Sequence, residues 1–379
     1  MNWITVFTYV PFAVFALTFA LFVLPQKLTT KAQARWAMFL LFCFAKFLCF
    51  AAFGGHAFSP DLPELLIWFW DWLYSGAMIL FALALVTVFV RRRWKLWALP
   101  AMAWGLSAWG LYNGVRVPSV HEAEVAFADL PPSLDGYRIV LLADLHCSSS
   151  ARRWRTEAIV ERVNALEADL VCLTGDNADG YAGRIARHLD PIRKLRAKDG
   201  VYACTGNHEY YHGFYDWLSA FYRRVTNLQF LSNECAFPHS GLALGGVPDI
   251  AGWYHDGIDV VPDARQAFAA ATNGEFRILL QHRPKDAREN VRGIGVRLQL
   301  SGHTHGGIAP LFRDFIARFN GGFVRGLYPL DNAFLYVSPG CGQWSGFPMR
   351  FFNDSEITLL VLRKAARTAS PMRRSSTSA

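Results

Sequence analysis

Charge is scarce in this chain of 379 residues: Asp, Glu, Lys and Arg make up 18% of it, against roughly 25% in soluble globular domains. With 53% apolar residues, that shortage excludes disorder of the chain as a whole. No Cys-x-x-Cys occurs. The seven cysteines, Cys43, Cys49, Cys147, Cys172, Cys204, Cys235 and Cys341, are odd in number. A small disulfide scaffold is thereby excluded, and buried free thiols are expected. A basic face is missing too. The net charge is +8, yet residues 115–362 carry 25 basic and 27 acidic side chains. The surplus lies in 1–114, with 8 bases against 3 acids, and in 363–379, with 5 against none. No nucleic-acid partner is expected, because that would need positive charge on the folded domain. The first apolar run has no basic segment ahead of it, so it does not read as a signal peptide.

What is abundant is apolar length. Ile4–Leu24, Ala37–Phe58, Leu65–Val90 and Leu96–Val115 each reach or approach the roughly 20 residues that cross a bilayer core. Trp36, Trp68, Trp70, Trp72, Trp94 and Trp97 cluster near the segment ends, as interfacial residues do. Residues 1–115 are therefore expected to form a transmembrane region of four helices, with membrane lipids as partners. Loop 25–36 carries Lys27, Lys31 and Arg35, and loop 91–95 reads Arg91-Arg92-Arg93-Trp94-Lys95. Loop 59–64 carries Asp61 and Glu64 and no base. The positive-inside rule then predicts a multi-pass protein of the inner membrane, with everything after residue 115 on the outer, periplasmic face. Lys46 and Asp71 interrupt the runs, and Lys46 is expected to pair with a neighbouring helix or to snorkel.

After a linker, residues 116–136, the pattern changes. Arg138–Ala143, Leu170–Thr174, Val201–Thr205, Leu242–Val247, Arg277–Gln281, Arg297–Ser301, Phe334–Ser338 and Ile357–Leu362 are short apolar runs. Such runs read as buried strands. Arg155–Leu166, Ile185–Arg196 and Tyr215–Val225 have helical spacing between them. Strands alternating with helices predict an α/β domain over 137–362. The tail 363–379, rich in Ser, Arg and Thr, is expected to be disordered.

The chemistry sits after the strands. The first leads into Asp144-Leu145-His146, the second into Gly175-Asp176-Asn177-Ala178-Asp179, the third into Gly206-Asn207-His208-Glu209. Later runs lead into His282 and into Gly302-His303-Thr304-His305-Gly306-Gly307. Strand C-termini are where open α/β sheets place ligands. Asp-x-His alone is common. Gly-Asn-His-Glu should arise by chance in about one such chain in a thousand, and Gly-His-x-His-Gly-Gly is comparably sharp. Imidazole with carboxylate suits Mn, Fe, Zn, Ni or Co rather than a thiolate structural site. Seven candidate ligands among these motifs are too many for one ion. Two divalent metal ions sharing a carboxylate would use them all, and such pairs, roughly 3.5–4 Å apart, activate water for attack on phosphorus.

In this order and spacing, the motifs resemble the calcineurin-like metallophosphoesterase superfamily over about residues 137–362. The ending, Tyr336-Val337-Ser338-Pro339-Gly340 followed by Glu356-Ile357-Thr358-Leu359-Leu360, is similar to its membrane-anchored bacterial branch, which includes lipid-linked phosphoesterases. The resemblance implies two mixed β-sheets packed as a sandwich flanked by helices. It implies that Asp144, His146 and His305 hold one metal, that Asn207, His282 and His303 hold the other, and that Asp176 bridges them. It makes His208 the catalytic group that assists the leaving oxygen, and Asp179 an orienter of an imidazole. Glu209 receives no role.

The function expected is hydrolysis of phosphoesters by metal-activated hydroxide, on a substrate that includes lipid-linked or envelope phosphoesters. The alternative is a membrane transport or sensing protein whose outer domain binds metal without turnover. Two segments, Trp344–Phe352 and Leu311–Phe319, are unusually apolar for loops. Core or strand-edge packing is the plain expectation for them, and a lipid-facing lip beside the site is the other.

Overall fold

The structure is a computed structural model that describes residues 12–56, 59–89, 94–224, 227–255, 261–272 and 274–365. A two-residue pair, β1 (Gly55–His56) with β2 (Ser59–Pro60), lies in the N-terminal half. Beyond it come β3 (Ser119–Phe127), β4 (Arg138–Leu142), β5 (Leu170–Thr174), β6 (Val201–Cys204) and β7 (Leu228–Phe230). Then follow β8 (Glu234–His239), β9 (Leu242–Gly246), β10 (Phe276–Leu280) and β11 (Leu298–Ser301). The last are β12 (Gly326–Leu330), β13 (Ala333–Val337) and β14 (Glu356–Lys364).

One sheet has the order β3-β14-β4-β5-β6-β7. Strands β4 to β7 are parallel, while β14 runs antiparallel to β4 and parallel to β3. The other has the order β12-β13-β11-β10-β9-β8, with parallel strands inside and antiparallel β12 and β8 at the edges. Both sheets are mixed.

The period of two along each strand sorts the core. Ile139 and Leu141 of β4 and Leu170 and Cys172 of β5 meet Leu244, Ile278, Leu280, Leu298 and Leu300 of the facing sheet. Val140, Leu142, Val171 and Leu173 point the other way. There they meet Ile159 and Val163 of helix Arg153–Asn164, Leu189 of helix Ala182–Leu189 and Leu218 of helix Phe214–Arg224. A strand buried on both faces has no polar alternation, which is why these runs are continuously apolar. All seven cysteines are free, and Cys172 and Cys204 are fully buried between the sheets.

Three expectations need correction. Residues 116–136 are not a bare linker. Ser119–Phe127 forms an edge strand paired along its whole length with β14. Its first half is exposed, and only Val125 and Phe127 reach the core. The tail begins later than expected, because β14 takes in Arg363 and Lys364, and residues 366–379 lie outside the described residues.

The third correction concerns the four spans. Among the described residues, one helix, Glu64–Val86, is long and apolar enough to cross a membrane. The second run is broken at Phe44-Ala45 into Thr30–Cys43 and Lys46–Phe53, each too short to span. The first is helical over 12–26, and its start lies outside the described residues. Helix Lys95–Val115 has the length, 21 residues, but carries Ser107, Asn113, Gly105, Gly110 and Gly114. It folds back along Glu64–Val86: Lys95 Nζ donates to the Thr87 carbonyl (2.5 Å), Trp72 Nε1 to Trp104 (2.9 Å) and Ser107 Oγ to Trp72 (2.7 Å).

The interrupting charges find each other. Lys46 Nζ lies 2.5 Å from Asp71 Oδ1, both fully buried, and also donates to the Ser345 carbonyl at 3.0 Å. Further contacts tie the helices to the sandwich. Trp68 Nε1 donates to Ser150, Trp154 Nε1 to Glu64, Arg155 Nε to Val115, and the Arg350 N–H to Gly110. The helical region thus seats on the loops at the C-terminal ends of the first sheet's parallel strands.

Candidate metal centre

Parallel strands deliver their following loops to one edge. Here the loops after β4, β5 and β6 meet those after β10 and β11, and they bring their imidazoles and carboxylates together. Asp144, His146 and His305 form one cluster: His146 Nε2 is 3.1 Å from His305 Nε2, and Asp144 Oδ1 is 3.9 and 3.7 Å from them. Asp176, His282 and His303 form a second: His282 Nε2 is 3.2 Å from both His303 Nδ1 and Asp176 Oδ2. The same Asp176 Oδ2 reaches to 3.8 Å from His146 Nε2, so this carboxylate stands between the clusters.

The backbone is bent to achieve this. Asp144, His146, Asp176, His303 and His305 all have φ between 45° and 73°. Side chains other than glycine rarely enter that region, at a cost of roughly 1–3 kcal/mol each, and persist there only where surroundings over-determine them. The surroundings are cross-loop hydrogen bonds. The Asp144 N–H donates to Gly175 (3.0 Å), that of His146 to the Asp176 carbonyl (3.0 Å), and that of His303 to the Asp144 carboxylate (3.1 Å). Two loops also pass too closely for side chains. A Cβ on Gly175 would sit 2.1 Å from the Gly206 nitrogen, and one on Gly206 would sit 2.3 Å from Asp176 Oδ1.

The outer nitrogens of the rings are held as well. Asp179 lies 3.0 Å from His146 Nδ1 with one oxygen and 2.5 Å from His208 Nδ1 with the other. His282 Nδ1 is 2.7 Å from the Thr174 carbonyl, which can only accept. That makes Nδ1 the protonated nitrogen and leaves Nε2 free to ligate. Arg350 Nη2 approaches His305 Nδ1 at 3.5 Å while donating to the Pro339 carbonyl at 2.8 Å.

Glu209, which closes the third motif but has no role from sequence, acquires one here. Its carboxylate accepts from the backbone N–H groups of Gly206 (2.6 Å), Asn177 (2.7 Å) and Asp176 (2.9 Å). It thereby laces the second and third motif loops together. Burial, with Asp176 adding to it, raises Glu209 to about 7. At His208, burial works to lower the imidazole, but Asp179 and Asp176 outweigh it and raise it to about 9. His303 and His305 are held well below the usual range by burial, then by Arg283 and His146 respectively, so both rings are neutral.

The donor set fits divalent cations. Imidazole nitrogens face each other at contact distance, 3.1 Å between His146 and His305 and 3.2 Å between His282 and His303, and thiolates are absent. Asn207 Oδ1, at the end of the third motif loop, is buried without a hydrogen-bond partner, which is what a ligand oxygen shows when its cation is left out of account. Six of the seven expected ligands thus lie in the two clusters, and the seventh is an orphaned acceptor. His208 stands at their rim, 15% exposed, with its Nε2 4.0 Å from Asp176 Oδ2.

Sequence reasoning missed Asp249, which follows β9 and accepts from Arg283 Nε at 2.7 Å beside the second cluster. A lone Asp after Gly245-Gly246-Val247-Pro248 carried no motif, although its strand was legible. It also missed Arg350, whose signal was a single cation in an apolar loop.

A family model for calcineurin-like phosphoesterases matches residues 137–307. An uncharacterized metallophosphoesterase of Bacillus subtilis is 31% identical over 273 residues, covering 69% of this chain and 93% of that protein. One of Helicobacter pylori is 34% identical over 255 residues, 67% of this chain and 66% of that protein. A transmembrane protein with metallophosphoesterase domain of Bos taurus is 34% identical over 275 residues, 69% of this chain and 60% of that protein. The chain belongs to the calcineurin-like metallophosphoesterase family. The matched stretch spans a little under two thirds of the H. pylori and B. taurus relatives.

Replacing Glu209 with Ala leaves three buried N–H groups unpaired, at about 1–3 kcal/mol each. The full chain should unfold several degrees lower and lose bound divalent metal, although Glu209 belongs to neither ligand cluster. Thermal unfolding with metal analysis checks this; an unchanged Tm and full metal content in Glu209→Ala would contradict the lacing role.

Proposed function

We propose that this protein is a membrane-anchored hydrolase of phosphoesters that works with two divalent metal ions. The observation that carries the reading is the Asp176 carboxylate, within 4 Å of an imidazole of each cluster. Asp144, His146 and His305 would hold one ion, Asn207, His282 and His303 the other, and Asp176 both. Bound there, the pair supplies hydroxide near neutral pH and positive charge for the phosphoryl oxygens. The donors suit Mn, Fe, Zn, Ni or Co.

The chain's own residues do the rest. Asp179 keeps the Nδ1 proton of His208 in place, which turns Nε2 toward the clusters. Raised to about 9, His208 is protonated at neutral pH, and it donates from Nε2 to the departing oxygen. Asp179 fixes His146 in the same way, so one carboxylate orients both a ligand and the acid. No Ser, Cys or Asp nucleophile is needed, and no covalent intermediate forms.

For Asp176→Ala we expect loss of both ions and of turnover. His208→Ala should keep near-normal metal content while its rate on bis-p-nitrophenyl phosphate falls about 10²–10⁴-fold. Metal analysis by mass spectrometry, alongside that assay, decides. A metal-free His208→Ala, or an Asp176→Ala that keeps two ions, would sink the assignment. Binding without turnover in the metal-loaded wild type would favour a sensor instead.

Anchoring is read from helix Glu64–Val86 together with its neighbour Lys95–Val115. If this hairpin crosses the bilayer, loop 91–95 with its four basic residues lies opposite the sandwich, which faces outward by the positive-inside rule. A reporter that works only outside the cytoplasm should be active after residue 365 and silent in loop 91–95. The reverse pattern would place the site in the cytoplasm.

A further inference from the structure

Helix Arg313–Phe319 buries none of its residues. With the preceding turn, Pro310–Phe312, it nevertheless sets Phe312, Phe315, Ile316 and Phe319 at i, i+3, i+4 and i+7. That spacing makes one apolar stripe, which a soluble domain turns toward its core. Here the stripe faces out. Phe315 is 62% exposed, Phe319 63% and the adjoining Leu311 83%. Arg313 and Arg318 are exposed beside it. The plain expectation of core packing therefore fails for Leu311–Phe319.

Its place in the fold gives the stripe meaning. It follows directly on His305-Gly306-Gly307, and a Cβ on Gly307 would lie 3.1 Å from Arg313 Cα. On another side of the same loop, Asn353 donates to the His305 carbonyl. Its neighbour Phe352 is 78% exposed. The Phe352 ring packs edge-on against Trp109, with centroids 5.2 Å apart. Trp109 and the exposed Tyr112 sit at the sandwich end of helix Lys95–Val115, which runs beside the candidate span Glu64–Val86; the end of a span is where interfacial aromatics gather. Phe352 thus joins the loop beside the metal centre to the level of the membrane surface.

We propose that Leu311, Phe312, Phe315, Ile316, Phe319 and Phe352 form a lipid-contacting surface that rests in the interfacial layer of the bilayer beside the metal centre. Amphipathic helices with large apolar and aromatic residues on one face and basic residues on the other bind that layer. Continuity with the hairpin favours lipid over a protein partner. The consequence is a site held at headgroup level, suited to a phosphoester carried on a lipid. This deepens the function proposed above and rests on its membrane anchoring.

The test uses the full chain in vesicles of phosphatidylethanolamine and phosphatidylglycerol. A photo-crosslinking phenylalanine analogue is placed singly at positions 315, 319, 85 and 237. Leu85 is 47% exposed on the candidate span, and Phe237 is 50% exposed on β8. Lipid adducts are expected at 315, 319 and 85, at least tenfold above position 237. Adducts at 85 alone would overturn the proposal and leave the anchor standing. Lipid at neither 85 nor 315 would remove the anchor and the proposal together, while metal-dependent hydrolysis of the soluble diester would still be judged on its own. Protein adducts at 315 in place of lipid would assign the stripe to a partner chain and overturn the proposal as well.

Discussion

Asp144, Asp176, Asp179 and Glu209 are all buried within the loops that follow three neighbouring parallel strands. Removing that much negative charge from water is unfavourable unless donors or cations meet it. The rest of the centre follows from this constraint. Backbone N–H groups of Asp176, Asn177 and Gly206 turn toward Glu209. Imidazoles crowd Asp176 and Asp179. Five non-glycine residues accept left-handed backbone to bring their side chains inward, and Gly175 and Gly206 let two loops touch. A site so built is preorganised for positive charge before any substrate arrives.

The second organising feature is the seat between helices and sandwich. The loop 343–352 is gripped from both sides. Lys46 holds the Ser345 carbonyl, Tyr74 Oη donates to Gly346 at 3.3 Å, and Phe351 fills the space over Gly110. On the other side, Trp344 lies edge-on to His208 with centroids 6.0 Å apart, and Arg350 reaches His305. The fully buried Lys46–Asp71 pair is therefore joined to the wall of the metal centre rather than isolated among helices.

Much of the sandwich was legible because strands buried on both faces are continuous apolar runs. The motif residues were legible because they follow those runs at fixed offsets. What escaped did so for physical reasons. Strand β3 pairs at an edge, so only Val125 and Phe127 among its nine residues are buried, and Val120 near its start is exposed among polar neighbours. Glu209 works through backbone N–H groups, which any sequence supplies. Asp249 owes its place to a sheet neighbour, since β9 lies beside β10 in space but a long loop away in sequence. Four apolar runs suggested four spans, but run length is blind to the break at Phe44-Ala45. The Phe315 and Phe319 face was visible as an apolar excess; that it points outward is set by tertiary structure alone.

The central claim is that two cations share Asp176, and electron paramagnetic resonance of the Mn-loaded full chain tests it most directly. The account predicts two Mn per chain and a spectrum showing exchange coupling between the ions. One Mn per chain with an uncoupled six-line signal, at saturating metal, would contradict it.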